Sequence, residues 1–249
     1  MTIKQTIMKI YSIADLHLAS DERVDKPMDL FGPGWEGHPD KLLDAWKEKI
    51  TDEDIVIIPG DISWGLKLEE AIADFDLLHQ LPGKKLISKG NHDLWWSRIK
   101  YLNSLYDDIT FLQNECYYIE SENIIICATR GWLYPGSDEY TQHDEKIYKR
   151  ELGRLQLGLD SAKKLAPNAD LIVALHYPPS DAGARETEFT KLLEEHNTKI
   201  CLYGHLHGAV AYGRGIKGEH NGIEYRLVSL DYLGAIPKLI YSSENGYEI

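Results

Sequence analysis

The sequence has few cysteines and lacks long apolar runs. Its 249 residues include only three cysteines, an odd number whose spacing matches no metal motif. They are Cys116, Cys127 and Cys201, each in or beside a predicted strand, which favours reduced thiols and a cytoplasmic location. No run approaches the ~20 apolar residues needed to span a bilayer. Residues 1–20 also lack the apolar core and small-residue cleavage site of a signal peptide.

Basic residues are scarce relative to acidic ones. The chain has 27 Lys and Arg against 40 Asp and Glu, a formal net charge of −13. Such a charge repels nucleic-acid backbone and anionic lipid, so we expect no membrane partner and consider a nucleic-acid partner unfavourable. A small phosphorylated ligand remains compatible, because bound divalent cations reverse the field locally.

The first half of the chain alternates predicted strands with amphipathic helices. The predicted strands cover residues 8–14, 54–60 and 84–90, and the predicted helices cover 39–50 and 68–81. This alternation is typical of βαβ units, so we predict an α/β protein with a largely parallel sheet.

The second half is more mixed. Residues 111–132 read as consecutive strands with a turn near 121–123, followed by a helix after residue 146. A strand, a helix and a strand then follow at 170–176, 187–196 and 198–205. The tail reads as antiparallel strands at 209–213, 223–230 and 238–242. With no repeat and no linker, we predict one domain over residues 1–249 that contains two sheets.

Five predicted strands end in short turns that carry polar side chains. In an open α/β sheet the carboxyl ends of the strands face the ligand, so these side chains can converge at one edge. They are Asp15, His17, Asp61, Asn91, His92, Asp93, His176, His205 and His207.

This donor set predicts a metal centre. Seven nitrogen and oxygen donors exceed what one tetrahedral zinc needs, whereas they suit two ions that share a carboxylate. Imidazoles and carboxylates without thiolates favour Mn, Fe, Zn or Ni. Any one motif alone would be explained better as a capped turn, but five in series make that explanation very improbable.

The series D-x-H, G-D, G-N-H-D, H and G-H-x-H, in this order, resembles the calcineurin-like metallophosphoesterase superfamily. The resemblance extends from Asp15 to His207. It implies a four-layer αββα sandwich, in which helices flank two mixed β-sheets.

The resemblance also implies residue roles. Asp15, His17 and His207 are the expected ligands of the first ion. Asn91, His176 and His205 are those of the second, with manganese favoured at both sites. Asp61 would bridge the two ions. His92 is the expected catalytic histidine, and Asp93 would accept a hydrogen bond from it to fix its tautomer.

The implied activity is hydrolysis of a phosphomonoester or phosphodiester by a hydroxide that bridges the two metals. On charge grounds, a small soluble phosphoester such as a nucleotide or cyclic nucleotide is favoured. The sequence departs from the family pattern at two places. No second acid follows Asp61, where Ile-Ser-Trp stands, and Leu206 occupies a position that is often Thr.

Three alternatives share the fold. A non-catalytic protein-interaction scaffold would have lost ligands, which this chain has not. A repair nuclease would bring basic surface or extra segments, which the sequence lacks. The UDP-diacylglucosamine hydrolase branch commonly has Arg in place of His92. Oligomeric state is left open.

Loops beside the strand ends are the expected specificity elements, since loops on a rigid scaffold carry recognition. They are residues 19–38 and residues 130–150, the latter as a substrate-side insertion. Trp35, Trp64, Trp95, Trp96 and Trp132 could form an aromatic wall there, although ordinary packing is favoured. Weaker candidates for the site, with a plain surface or helix-entry role as the default, are His38, Arg130, His143 and Arg185.

Overall fold

The structure is a computed structural model that describes residues 7–248. Its strands are β1 (Lys9–Ser12), β2 (Ile55–Pro59), β3 (Lys84–Ser88), β4 (Ile109–Leu112), β5 (Cys116–Ile119), β6 (Ile124–Thr129), β7 (Asp170–Leu175), β8 (Ile200–Tyr203), β9 (Gly218–His220), β10 (Ile223–Leu227), β11 (Lys238–Ser242) and β12 (Gly246–Tyr247). Its α-helices are α1 (His38–Lys49), α2 (Leu68–His79), α3 (Ile99–Leu102), α4 (Asp144–Leu165), α5 (Glu188–Glu195), α6 (Gly208–Tyr212) and α7 (Leu230–Leu233), and a short 3₁₀ helix covers Met28–Phe31.

The first sheet has six strands in the order β12-β11-β1-β2-β3-β4. Strands β1 to β4 are parallel, whereas β11 pairs antiparallel with both β1 and β12. The predicted βαβ alternation is therefore confirmed. Helices α1 and α2 pack on the outer face through side chains such as Trp46 and Phe75, which have no exposed surface.

The second sheet also has six strands, in the order β5-β6-β7-β8-β10-β9. Its centre, β6-β7-β8-β10, is parallel, and the edge strands β5 and β9 are antiparallel to their neighbours. Helices α4 and α5 cover its outer face, where Tyr148, Leu159 and Phe189 are buried.

The inner faces of the two sheets pack against each other. Because side chains alternate across a strand, Val56 points to the helices while Ile57 points to the other sheet. Opposite it lie apolar side chains of the second sheet, including Ile126 and Ile172. The layers are therefore helix, sheet, sheet and helix, which confirms the predicted α/β sandwich with two mixed sheets.

Two predictions for the tail were wrong. Residues 209–213 were expected to form a strand, but Gly208–Tyr212 is helix α6. This helix packs its Tyr212 ring 5.0 Å from that of Tyr232. The second prediction was that the tail strands are all antiparallel. Strand β10 is antiparallel to β9, as expected, but it runs parallel to β8, because β9 carries the chain back before the turn into β10.

Among residues 7–248, no helix combines the length and apolar character that crossing a membrane requires.

Candidate metal centre

The turns that follow the strands hold their polar residues in a strained backbone conformation. In the described chain nine non-glycine residues have positive φ, and four of them are predicted ligands. These are Asp15 (φ 59°), His17 (46°), Asp61 (54°) and His205 (71°). Side chains with a Cβ disfavour this region, so such strain persists only where surrounding contacts hold it, and it clusters at functional sites.

Two glycines let the turns approach each other closely. A Cβ on Gly90 would lie 2.0 Å from Oδ1 of Asp61, and one on Gly204 would lie 2.5 Å from Oδ2 of Asp15. Any side chain at these positions would occupy the space of a predicted ligand. The glycines of the G-N-H-D and G-H-x-H motifs are therefore required by close approach.

Asp61 lies at the centre of the cluster and is 1% exposed. Its Oδ1 accepts a hydrogen bond from the backbone nitrogen of His92 at 2.8 Å. Its Oδ2 lies 3.8 Å from Nε2 of His17 and 3.4 Å from Nε2 of His176. One oxygen of Asp61 thus faces imidazoles from both predicted ligand groups.

Asp15, which is fully buried, lies beside Asp61. Its carboxylate accepts hydrogen bonds from the backbone nitrogen of His205 at 3.0 and 3.1 Å. Its Oδ1 is also 3.7 Å from Nε2 of His207 and 3.6 Å from Nδ1 of His176. Within the described residues, Asp15, His17 and His207 form one group with metal-ligand spacing, and Asp15, Asp61 and His176 form another.

Hydrogen bonds on the far ring nitrogens orient two of the imidazoles. Nδ1 of His176 lies 3.0 Å from the carbonyl oxygen of Pro59, and Nδ1 of His207 lies 3.0 Å from Oδ1 of Asp231. When each Nδ1 donates its proton to that oxygen, Nε2 is the ring nitrogen that would bind a cation at the cluster.

Asn91 and His205 lie on the His176 side of the cluster. Oδ1 of Asn91 is 2.7 Å from Nε2 of His176. The ring of His205 is 5.1 Å from that of His176, centroid to centroid. All seven predicted ligands are therefore brought to one edge of the two sheets.

The electrostatics of the protein alone are unfavourable at this edge. Burial raises the pKa of Asp15 to about 6, and burial together with the charges of Asp93 and Asp15 raises the pKa of Asp61. Burial lowers the pKa of His17 and His176, and that of His205 to about 3. Two buried carboxylates thus lie beside three imidazoles that burial keeps neutral. Burial opposes protonation of His207, but the carboxylates of Asp15 and Asp231 raise its pKa, so at most this one imidazolium offsets the pair, and the buried negative charge that remains is costly.

The residues present fit bound cations. Nδ1 of His17 is buried without a hydrogen-bond partner, and the donors are the oxygen and imidazole nitrogen atoms that Mn, Fe, Zn and Ni accept. A divalent cation would supply the charge that the buried carboxylates lack.

Asp93 does not make the contact that was predicted for it. Its Oδ2 accepts from the backbone nitrogens of Gly90 and Asp61, at 2.7 and 2.9 Å. Its Oδ1 accepts from the backbone nitrogen of Ile62 at 2.9 Å and from Nε1 of Trp95 at 3.1 Å. With four donors already bound, the carboxylate has no hydrogen bond to the His92 ring. The expected Asp93–His92 bond is wrong; Asp93 instead ties the turn after β2 to the turn after β3.

His92 lies beside the cluster, with its ring centroid 5.6 Å from that of His17. Trp64 flanks both histidines, stacked 4.7 Å from His17 at an interplanar angle of 21° and 4.4 Å from His92. Trp35 lies 5.2 Å from the ring of His207. Two of the tryptophans therefore border the site.

The other tryptophans pack elsewhere. Trp95 is buried against Phe75 and Phe111, as packing predicts, and Trp96 also lies against Phe111. Trp132 lies 4.9 Å from the ring of Tyr177.

The weaker candidates have mixed positions. His38 is buried, with ring nitrogens 3.2 Å and 3.0 Å from the carbonyl oxygens of Trp35 and Leu16, so it supports the loop that carries Trp35.

The other three weaker candidates lie outside the cluster. Arg130 pairs with Glu151 at 3.2 Å. Its backbone oxygen accepts from the nitrogen of His176. Arg185 pairs with Asp181 at 3.1 Å, and His143 is exposed in the turn before α4.

Sequence reasoning missed two neighbours of the cluster. Asp231 orients His207 and also accepts hydrogen bonds from the backbone of Gly208 and the hydroxyl of Tyr212. It follows β10, so the same rule of polar residues after strand ends could have found it. Tyr177, whose ring lies 4.0 Å from that of His205, directly follows a predicted ligand.

A two-sheet α/β sandwich with carboxylates and imidazoles gathered at its strand ends is the architecture expected of a metal-dependent hydrolase. The family model for calcineurin-like phosphoesterases matches residues 8–209. The chain therefore belongs to the calcineurin-like phosphoesterase family.

Comparison with individual proteins adds little about function. The chain is 30% identical to the Gene 66 protein of Mycobacterium phage D29, in a match that covers 38% of this chain and 52% of that protein, so it spans about half the length of this curated relative.

Two solved structures share the fold. The protein of unknown function AQ665 from Aquifex aeolicus has a TM-score of 0.51 at 14% identity, covering 93% of this chain and 95% of that one. The protein TT1561 of Thermus thermophilus has a TM-score of 0.52 at 12% identity, covering 87% of this chain and 91% of that one. At such identities the similarity concerns the fold alone.

Proposed function

We propose that this chain hydrolyses a small phosphomonoester or phosphodiester at a dinuclear metal centre. The observation that carries the proposal is the position of Asp61. Its buried Oδ2 faces both His17, at 3.8 Å, and His176, at 3.4 Å. A carboxylate placed between two imidazole groups can serve two ions.

One set of proposed metal ligands lies on each side of the Asp61 carboxylate. Asp15, His17 and His207 would hold the first ion, and Asn91, His176 and His205 the second, with Asp61 shared. When bound, two cations of this kind supply a hydroxide nucleophile near neutral pH and offset phosphate charge. Manganese is the metal we favour, with Fe, Zn and Ni as the other candidates.

The protein's own groups would position the phosphate. His92 borders the cluster and would donate a hydrogen bond to a phosphate oxygen or a proton to the departing oxygen. Asp93 would act as a positioning residue, because it holds the turns that carry Asp61 and Asn91. The strained turns fix these groups before substrate arrives, which favours catalysis by pre-organisation.

The proposed substrate is a nucleotide, a cyclic nucleotide or another small phosphoester. The net charge of −13 disfavours long polyanions such as nucleic acid. The full set of ligands argues against a non-catalytic scaffold. An aromatic side chain beside the cluster is consistent with a nucleotide substrate, since Trp64 stacks on His17 there.

The test compares metal-stripped protein with protein that has been reloaded with Mn²⁺, Zn²⁺, Ni²⁺ or Fe²⁺. Each sample is assayed with p-nitrophenyl phosphate and bis(p-nitrophenyl) phosphate, and its metal content is measured by mass spectrometry. We expect two ions per chain and hydrolysis of at least one ester only in the reloaded samples. Two bound ions without turnover of either ester or of a broad phosphoester panel would contradict the proposal.

A further inference from the structure

A cavity lies next to the metal centre on its His205 side. Its volume is about 400 Å³, within the range of ligand pockets. Three segments surround it, residues 133–139, 177–185 and 205–214, and His205 itself contributes to the lining. The cavity and the proposed metal ligands therefore share a wall.

Hydrogen bonds between the segments build the cavity walls. Nη1 of Arg185 donates to the carbonyl oxygen of Gly136 at 2.7 Å, joining the first segment to the second. The backbone nitrogen of Ala182 donates to the carbonyl oxygen of Arg214 at 2.8 Å, joining the second to the third. The cavity is thus a pre-formed space, as ligand pockets usually are.

Two tyrosines contribute to the inner lining of the cavity. Tyr177 and Tyr134 line the cavity and are only 6% and 7% exposed. The Tyr177 ring lies 4.0 Å from that of His205 at an interplanar angle of 37°. The ring of Trp132 lies 4.9 Å from that of Tyr177. A flat ring entering beside His205 would meet tyrosine surface, with which aromatic groups pack favourably.

The charges around the cavity are unfavourable to a second anion. Three carboxylates, of Asp138, Glu139 and Asp181, line it against two guanidiniums, of Arg185 and Arg214. Asp181 and Arg185 pair with each other at 3.1 Å. Two carboxylates and one guanidinium then remain to face a ligand, so like-charge repulsion would act against a phosphate or carboxylate there.

We propose that this cavity receives the leaving group of the substrate and selects uncharged, ring-bearing alcohols, of the phenol or nucleoside type. The inference rests on the proposed phosphoesterase function and adds its specificity. An ester whose phosphorus lies at the metal cluster would extend past His205, so its ring would enter the cavity beside Tyr177 and Tyr134. Compact alcohols such as glycerol would leave the cavity unfilled, and alcohols with a further phosphate would meet its carboxylates.

The first experiment needs neither metal nor turnover. Binding of thymidine to metal-free protein is followed by saturation-transfer NMR, with glycerol as the comparison. The variant Ala182→Trp fills the cavity from an exposed position in its wall. The control Ser161→Trp places the same side chain on the exposed surface of α4. We expect binding of thymidine by the native protein and by Ser161→Trp, and its loss in Ala182→Trp.

The second experiment uses the metal-loaded protein with phenyl phosphate and glycerol 2-phosphate. Each variant is compared with the native protein on the same ester, so differences in leaving-group reactivity cancel. We expect Ala182→Trp to lower kcat/KM for phenyl phosphate by at least about tenfold and to change that for glycerol 2-phosphate by less than about twofold. Circular dichroism of both variants checks that the fold is kept.

The outcomes separate the two proposals. If the native protein hydrolyses both esters and Ala182→Trp affects them equally or not at all, the cavity is not the leaving-group site, although the enzyme proposal stands. Absence of thymidine binding, or binding that Ala182→Trp leaves intact, would also overturn the cavity inference. Inactivity of the native protein on all esters with two ions bound would overturn the function itself.

Discussion

At the scale of single residues, each of the four residues from Gly90 to Asp93 has a different role in the turn after β3. Gly90 lets Asp61 approach, Asn91 faces His176, and His92 is exposed beside Trp64. Asp93 lies beneath them, fully buried, with its oxygens on backbone nitrogens. His92 is therefore the member of this turn that is free to meet a substrate.

Replacement of His92 by alanine is expected to remove turnover and keep the metals. His92 contacts the cluster through its backbone, whose nitrogen donates to Asp61, and the substitution preserves that bond. A positioned proton donor contributes roughly 10²–10⁴ to rate, so kcat should fall by about that factor. Mass spectrometry should still find two ions per chain. Loss of an ion would instead make His92 a ligand and refute its assigned role.

Replacement of Asp231 by asparagine is expected to weaken metal binding. The carboxylate accepts a hydrogen bond from Nδ1 of His207 and so keeps Nε2 basic. Loss of such a partner typically lowers metal affinity by about 10–100-fold. Competition with a chromogenic chelator measures the change. Asp52→Asn, an exposed position, is the control and should bind as the native protein does. Equal metal affinities in the Asp231→Asn and Asp52→Asn variants would show that Asp231 does not support metal binding.

At the scale of elements, helix α4 carries an ionic cluster that faces the strand ends. Glu151 is fully buried, and its Oε1 lies 3.2 Å from Arg130, 3.1 Å from Arg150 and 2.8 Å from Arg154. Its Oε2 accepts from the hydroxyl of Thr129 at the end of β6. One carboxylate thus joins α4 to the strand whose following residue, Arg130, binds the backbone of His176.

Replacement of Glu151 by glutamine should destabilise the fold. It leaves three guanidiniums without a counter-charge, and breaking a buried ion pair costs on the order of 3 kcal/mol. The control is Glu145→Gln in the same helix. Its pair with Lys149 is exposed, so this substitution should lower the free energy of unfolding much less. Urea unfolding gives both free energies. Equal losses would show that the cluster adds no more than a surface pair.

Element boundaries follow largely from local patterns. Helices α1, α2, α4 and α5 and the central strands were predictable because their apolar periodicities match the faces they bury. Helix α6 was not predictable, since its five residues carry no helical stripe and it is fixed by Asp231 and Tyr232, which come later in the chain.

At the scale of the whole molecule, we expect the stability of the fold to depend on bound cations, because two carboxylates are buried at the cluster. Asp15 and Asp61 are at most 1% exposed and lie among imidazoles whose pKa values burial depresses. Cations that bind only the folded chain stabilise it by mass action. The protein should therefore be more stable with its metals than without them.

Thermal unfolding tests this dependence. At a Mn²⁺ concentration of about 100 times Kd, each bound ion should add about 2.7 kcal/mol to the stability of the folded state, which raises Tm by on the order of 5–10 °C per ion for a chain of this size. Chelator should reverse the shift. Asp61→Ala should abolish it and release both ions together, because Asp61 faces both groups. Retention of one ion in this variant would contradict a shared carboxylate.

The sequence by itself determined the order of the central strands and of helices α1, α2, α4 and α5, and the identity of the polar residues at the strand ends. These follow from local periodicity and from motifs whose members lie two or three residues apart. Only the tertiary structure decided how the ends meet. It placed Asp93 on backbone nitrogens rather than on His92, brought Asp231 to His207, and opened a cavity between three distant segments. The physical reason is that these contacts join residues far apart along the chain, so their geometry depends on how the two sheets pack and on which turns come close.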